Sequence, residues 1–130
     1  MLSRRPKAKT KQELGRIGED HAARYLASRG YRIRERNFRP RGQAEIDIIA
    51  EHHGALAFVE VKARSSDEFG QPSEGLTVWQ QRRLARSAGA YIAQREGRER
   101  LMRFDVVEVF LTREGRVQRV SLMQGAFQAE

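Results

Sequence analysis

The apolar positions of this chain recur with helical spacing in two segments. The first segment opens at Thr10, because Thr10-Lys11-Gln12-Glu13 has the form of a capping box, and it closes at Gly30. The second segment runs from about residue 77 to residue 94. Both segments therefore predict amphipathic helices. Their buried stripes contain Leu14, Ile17, Ala22, Tyr25 and Leu26 in the first helix, and Leu84, Ala88, Tyr91 and Ile92 in the second.

Five further segments have the short, β-branched or aromatic character of strands. They cover residues 31–37, 45–50, 56–62, 104–111 and 117–123. This order predicts a single α/β domain over residues 10–130, with a mixed central sheet of about five strands flanked by the two helices. Residues 1–9 precede the domain as a basic flexible tail. The polar loop of residues 65–75 is long enough to be functional.

Three charged residues interrupt the two most apolar strands. Asp47 lies in residues 45–50, while Glu60 and Lys62 lie in residues 56–62. A charged side chain in a half-buried strand costs about 3–5 kcal/mol when its partner is missing. Charges placed close together in such strands therefore indicate a site rather than a part of the core.

The relative position of these residues depends on how the two strands pair. If Ala50 pairs with Ala55 across the turn, Asp47 lies opposite Phe58 and on the same face of the sheet as Glu60. A slip of one residue would separate the two acids. The alternative is an ordinary solvated face of a hairpin. The apolar character of both faces of the two strands weakens that alternative.

An Asp followed after a spacer by Glu-X-Lys resembles the core of the restriction-endonuclease-like nucleases. Hydrolysis of a phosphodiester needs a divalent cation to hold the phosphate and a nucleophilic water beside it. Hard cations such as Mg²⁺ prefer oxygen ligands, which two carboxylates and the backbone carbonyl between them can supply. A lysine can position the water and offset the negative charge of the phosphate.

The wider sequence resembles the YraN family of small bacterial proteins (UPF0102 type), from about residue 15 to about residue 127. This family has a restriction-endonuclease-like fold and is similar to archaeal Holliday-junction resolvases. Two positions depart from the family pattern: Ala44 replaces the usual Gly, and Gln80 replaces a frequent Lys. The matching stretches are Gly15-Arg16-Ile17-Gly18-Glu19, Gly30-Tyr31, Arg36-Asn37, Glu45-Ile46-Asp47-Ile48-Ile49, Phe58-Val59-Glu60-Val61-Lys62-Ala63-Arg64, Gln81-Arg82-Arg83-Leu84 and Arg103-Phe104-Asp105-Val106-Val107.

The resemblance implies a nuclease-like site that uses Mg²⁺ or Mn²⁺. Asp47 and Glu60 would ligate the metal, and Lys62 would position the attacking water. Glu19, on the first helix, would be a further ligand, either directly or through water. Gln81, on the second helix, would orient the phosphate or a ligand.

Composition narrows the choice of partner. The 130 residues carry a net charge of +8, which favours a polyanion, and nucleic acid, with DNA first, is the leading candidate. No run approaches the length of a transmembrane helix, and no signal peptide is found, so no membrane partner is expected. The absence of cysteine fits the cytoplasm. His52 and His53 adjoin the predicted turn, where an exposed position is expected rather than a zinc site.

Two function classes remain open besides the nuclease. One is a non-catalytic nucleic-acid-binding protein that keeps the fold, and the other is an interaction subunit whose basic face meets an acidic partner. Arg82, Arg83 and Arg86 form either a solvated face or a face that tracks phosphates. A homodimer is also left open, because a junction resolvase would need two copies to cut two strands symmetrically.

Overall fold

The computed structural model describes residues 7–65, 67 and 75–128. Most of the predicted basic tail and most of the predicted polar loop lie outside the described residues. The helices and strands, in chain order, are α1 (Lys11–Ser28), β1 (Arg32–Phe38), β2 (Ile46–His52), β3 (Ala55–Ser65), α2 (Val78–Tyr91), β4 (Met102–Leu111) and β5 (Val117–Phe127).

The strands of the described residues form one five-stranded sheet in the order β1-β2-β3-β4-β5. The pairs β1–β2, β2–β3 and β4–β5 are antiparallel, whereas β3 and β4 are parallel. A parallel pair needs a crossover connection, which α2 provides between β3 and β4. The predicted α/β fold with a mixed central sheet is therefore confirmed, and it is compatible with a restriction-endonuclease-like fold.

The first helix begins as its capping signal predicts. The Glu13 amide donates to Oγ1 of Thr10 at 3.1 Å, and the Thr10 amide donates to Oε1 of Glu13 at 2.9 Å. Gly30 follows the helix with a φ of +88°, a conformation that favours glycine. The buried side chains of Ala22 and Leu26 pack α1 against one face of the sheet.

Close packing of α1 on the sheet depends on Gly18. A Cβ at this position would lie 3.3 Å from the Cβ of Ala63 on β3, which is tighter than ordinary contact. The missing side chain therefore lets the helix approach the strand. The next residue, Glu19, is close enough to Asp47 on β2 for its charge to raise the pKa of that carboxyl group.

The second helix covers the opposite face of the sheet. Leu84, Ala88 and Tyr91 pack there against a cluster that includes Phe58 of β3 and Phe104 of β4. Because apolar side chains cover both faces, the central strands are not the outer face of a solvated hairpin. The predicted helix ends earlier than expected as an α-helix, and a π-helical turn (Ile92–Glu96) continues it.

The predicted pairing of β2 with β3 is wrong by two residues. Ala50 pairs with Ala57 instead of Ala55, because the turn contains only His53 and Gly54. Their φ values of +50° and +80° are those of a tight hairpin turn with both central residues in the left-handed region. A shift of two residues keeps each side chain on its predicted face.

A buried polar network joins residues near one end of the strands. Asp105 accepts hydrogen bonds from Tyr31 at 2.7 Å and from Arg103 at 2.9 Å, and so it has a structural role. His52 is only 5% exposed, in contrast to the expected exposed position, and its Nδ1 accepts from Arg103 at 2.8 Å. Burial lowers the pKa of His52, which is consistent with this accepting role.

Among the described helices, none has the length and hydrophobicity needed to span a membrane.

Candidate active site

Asp47 and Glu60 lie side by side on β2 and β3. Ile48 pairs with Val59, and continuing this register by one residue places Asp47 opposite Glu60. Both side chains are half-buried, and both line a cavity of about 310 Å³ between the sheet and the start of α2. Other residues that line it include Arg39, Glu45, Trp79, Gln80 and Arg83.

The surroundings of Asp47 favour its protonated form. Burial raises its pKa from 3.8 to about 7, and the negative charges of Glu19 and Glu45 act in the same direction. One opposing contact is the backbone amide of Val61, which donates to Oδ2 of Asp47 at 2.8 Å. This hydrogen bond fixes the orientation of the carboxyl group between the two strands.

Glu60 is perturbed in the same way. Burial and then the charge of Asp47 raise its pKa from 4.5 to about 8, while the ammonium of Lys62 opposes the rise. A hydrogen bond between the Asp47 and Glu60 carboxyl groups lowers the pKa of the first and raises that of the second. The surroundings therefore disfavour full ionisation of the pair. A cation between the two groups would favour the doubly ionised state.

Lys62 lies beside this pair on the same strand as Glu60. Its Nζ donates a hydrogen bond to the backbone carbonyl of Gly75 at 2.6 Å, just before α2. Its charge also acts on Glu60. The ammonium is therefore held close to the carboxyl pair by the strand and by the segment that leads into α2.

Glu19 reaches the pair from α1 on the other side. Its Oε1 accepts a hydrogen bond from Nδ2 of Asn37 at 2.7 Å and lies 3.9 Å from a guanidinium nitrogen of Arg36. Its negative charge raises the pKa values of both Asp47 and Glu60. The structure thus brings four of the five predicted site residues into one neighbourhood.

Gln81 lies elsewhere. Its side-chain amide donates to the carbonyl of Leu76 at 2.9 Å, and it lines a different cavity of about 550 Å³. Gln80 lines the cavity of Asp47 instead, although its side chain also accepts from the Thr77 amide at 2.9 Å and so caps α2. The structure does not bring Gln81 to the carboxyl pair.

The candidate ligands for a divalent cation are the carboxylates of Asp47, Glu60 and Glu19. Within residues 7–65, 67 and 75–128, no group of three or more acidic or histidine side chains is arranged to hold a metal ion. Mg²⁺, however, usually keeps several waters and takes only one or two carboxylates from the protein. Asp47 and Glu60 match that number of carboxylates, and the charge of Glu19 acts on both of them.

Comparison with known proteins identifies the family. A family model described as "Uncharacterised protein family UPF0102" matches residues 18–109 of the chain. The chain belongs to the family UPF0102. The matched segment includes every candidate site residue.

Relatives in the family UPF0102 cover nearly the full length of the chain. A "UPF0102 protein" of Moorella thermoacetica is 46% identical over 119 residues, which cover 91% of this chain and 98% of the relative. A UPF0102 protein of Symbiobacterium thermophilum is 47% identical over 118 residues, covering 91% of the chain and 98% of the relative. A relative from Caldicellulosiruptor saccharolyticus is 42% identical over 117 residues, covering 90% and 98% respectively.

Three further residues of this UPF0102 protein belong to the site. Asn37 holds Glu19, and its φ of +55° is unusual for a residue other than glycine. Arg83 and Trp79 line the cavity of the carboxyl pair. Asn37 lies in a stretch that resembles the YraN family, which was a usable signal. Trp79 is the single tryptophan and lies outside the apolar stripe of its helix, a signal that points to the surface.

Proposed function

We propose that this UPF0102 protein is a metal-dependent nuclease that hydrolyses phosphodiesters in DNA, with branched DNA as a candidate substrate. The observation that carries the proposal is the pair Asp47 and Glu60. Burial and neighbouring negative charges raise the pKa values of both groups, which lie on neighbouring strands and beside an ammonium group. Strongly perturbed carboxyl groups that line a cavity are typical of functional sites.

Each residue has a definite role in this proposal. Asp47 and Glu60 would hold Mg²⁺ or Mn²⁺, with Glu19 contributing through water, and the ion would polarise the phosphate and activate a water. Lys62 would place its ammonium where negative charge develops on the phosphate. Asn37 would fix Glu19 through their 2.7 Å hydrogen bond.

Charge supports nucleic acid as the substrate. The net charge is +8, and Arg39 and Arg83 line the cavity beside the carboxyl pair, where they can contact phosphates. DNA is proposed ahead of RNA, and a cytoplasmic location is proposed with it. A homodimer stays a prediction.

A second candidate is a non-catalytic nucleic-acid-binding protein with the same fold. The observation that favours it is the absence, in the part of the chain that the structure describes, of a three-ligand metal cluster. The position of Gln81 away from the carboxyl pair points the same way. A pure binder, however, has no use for two acids that repel each other beside a phosphate site.

The test is cleavage of duplex, single-stranded, flap and four-way-junction DNA in Mg²⁺ or Mn²⁺. The nuclease proposal predicts cleavage by the wild-type protein, and its loss in Asp47→Asn and in Glu60→Gln. Tight binding to substrates that stay intact under every condition would favour the binder instead. Cleavage that survives both substitutions would come from a contaminating nuclease.

A further inference from the structure

Trp79 is a large aromatic residue in the first turn of α2 that is 64% exposed. Indole rings bury a large apolar area when they pack, so an open position leaves substantial binding energy unused. Its neighbour Val78 is similarly exposed, at 60%, but lines a different cavity. Trp79 instead shares the cavity of Asp47 and Glu60.

Arg83 orients the ring of Trp79. The central guanidinium carbon of Arg83 lies 4.5 Å from the ring centroid, one helical turn further along α2. A cation in this position stacks on one face of the indole. Because Trp79 is 64% exposed, Arg83 leaves most of the residue accessible to a second stacking partner. The indole of Trp79 therefore offers a flat stacking surface at the cavity of the carboxyl pair, and the guanidinium of Arg83 packs against the ring.

A nucleobase is the chemical group that fits this arrangement. Bases stack on exposed aromatic side chains without regard to sequence, and nearby arginines hold the linked phosphates. A base inside an intact duplex is already stacked on both faces and offers no free surface. Stacking on Trp79 would therefore select for a base that is unpaired.

We propose that Trp79 is a stacking platform for an unpaired nucleobase next to the phosphate that Asp47 and Glu60 receive. The substrate class is then DNA with a single-stranded segment at the cut site. This inference rests on the proposed function, since it takes the cavity to be where the phosphate binds. The bound strand must have an unpaired base at Trp79.

The single tryptophan of the chain provides a direct readout, because intrinsic tryptophan fluorescence reports on Trp79 alone. Metal-free protein in EDTA is titrated with an oligo(dT) single strand and, separately, with a blunt duplex of equal length. We expect saturable quenching by the single strand and little quenching by the duplex. Equal quenching by both, or none when binding is otherwise detected, would overturn the proposal.

Anisotropy of labelled DNA then measures affinity independently of the tryptophan. Trp79→Ala should weaken single-strand binding about tenfold or more and duplex binding less than about twofold. Trp79→Phe should keep most of the affinity, and Val78→Ala is the control from the same helical turn and should change neither. Unchanged affinity in Trp79→Ala, or no binding of single strands by the wild type, overturns the platform.

Cleavage separates this inference from the proposed function. Metal-dependent cleavage that is indifferent to Trp79→Ala on every substrate would overturn the platform and leave the nuclease standing. Selective quenching by single strands without cleavage in any metal would support the platform and overturn the nuclease.

Discussion

Asp47→Asn should stabilise the metal-free protein at alkaline pH, although it alters the candidate active site. Burial and the neighbouring acids raise the pKa of Asp47 from 3.8 to about 7. The unfolded chain ionises near the ordinary value, so folding is penalised once the pH exceeds about 4. The penalty grows with pH and reaches its full size above about pH 7, where the folded carboxyl group is also ionised.

The size of the effect follows from the pKa change. Full conversion at about 1.4 kcal/mol per pKa unit gives about 4 kcal/mol at pH 8. Because Asp47 is only half-buried, solvent screening reduces this to about 1–3 kcal/mol. Asn has the same shape, and its carbonyl can still accept from the Val61 amide. For a domain of this size the melting temperature should rise by about 3–10 °C at pH 8, and by about a third as much at pH 5.

Asp105→Asn is the matched control, because it is the same change in the same sheet. The Asp105 side chain is fully buried and forms an ion pair with Arg103 at 2.9 Å. Removing this charge should destabilise the protein by about 3 kcal/mol or more. Thermal unfolding in EDTA at pH 5 and pH 8, followed by circular dichroism, measures both variants. A lower melting temperature for Asp47→Asn at pH 8, or an equal rise at both pH values, would show that the ionised Asp47 carboxylate does not destabilise the folded protein.

Three further predictions concern the metal, the packing of α1 and the DNA. Millimolar Mn²⁺ should raise the melting temperature of the wild type but not of Asp47→Asn, and an equal rise in both would contradict the ligand assignment. Gly18→Val should lower the free energy of unfolding by about 1–3 kcal/mol, because α1 lies close to Ala63 at this position. Gly15→Ala should raise the free energy of unfolding by about 0.5–1 kcal/mol, because a Cβ at residue 15 meets no atom within 4 Å. Urea denaturation measures both changes. DNA affinity should fall at least about tenfold between 50 and 200 mM salt in a fluorescence titration, and a flat dependence would remove nucleic acid as the partner.

Local signals in the sequence were sufficient to predict the fold class. The capping box at Thr10 predicted where α1 begins, because cap and helix are adjacent in the chain. The alternation of faces along β2 and β3 predicted that Asp47 and Glu60 share a face. The observed register differs from the predicted one by two residues, and an even shift keeps both side chains on the same face. The register itself depends on the backbone conformation at His53, whose φ of +50° is uncommon for residues other than glycine.

Side-chain placement on α2 and near the turn was harder to predict. Gln81 was predicted from the family resemblance, but successive helix residues are rotated by about 100°, and it is Gln80 that lines the cavity of the carboxyl pair. His52 looked like a turn residue but is buried by its stacking on Tyr31 and its hydrogen bond to Arg103. Contacts between residues far apart in the chain cannot be deduced from local pattern.

Lys62→Ala shows whether the carboxyl pair and its neighbouring ammonium perform chemistry. The measurement is the single-turnover rate of cleavage at saturating protein, beside the Kd for the same DNA, with Lys11→Ala as an exposed control lysine. If Lys62 stabilises charge at the phosphate, the rate should fall by about 100-fold or more while Kd changes less than about threefold. The Lys11 variant should keep its rate. A Lys62→Ala rate equal to that of the wild type, or a loss of rate explained entirely by weaker binding, would show that Lys62 has no part in the chemical step.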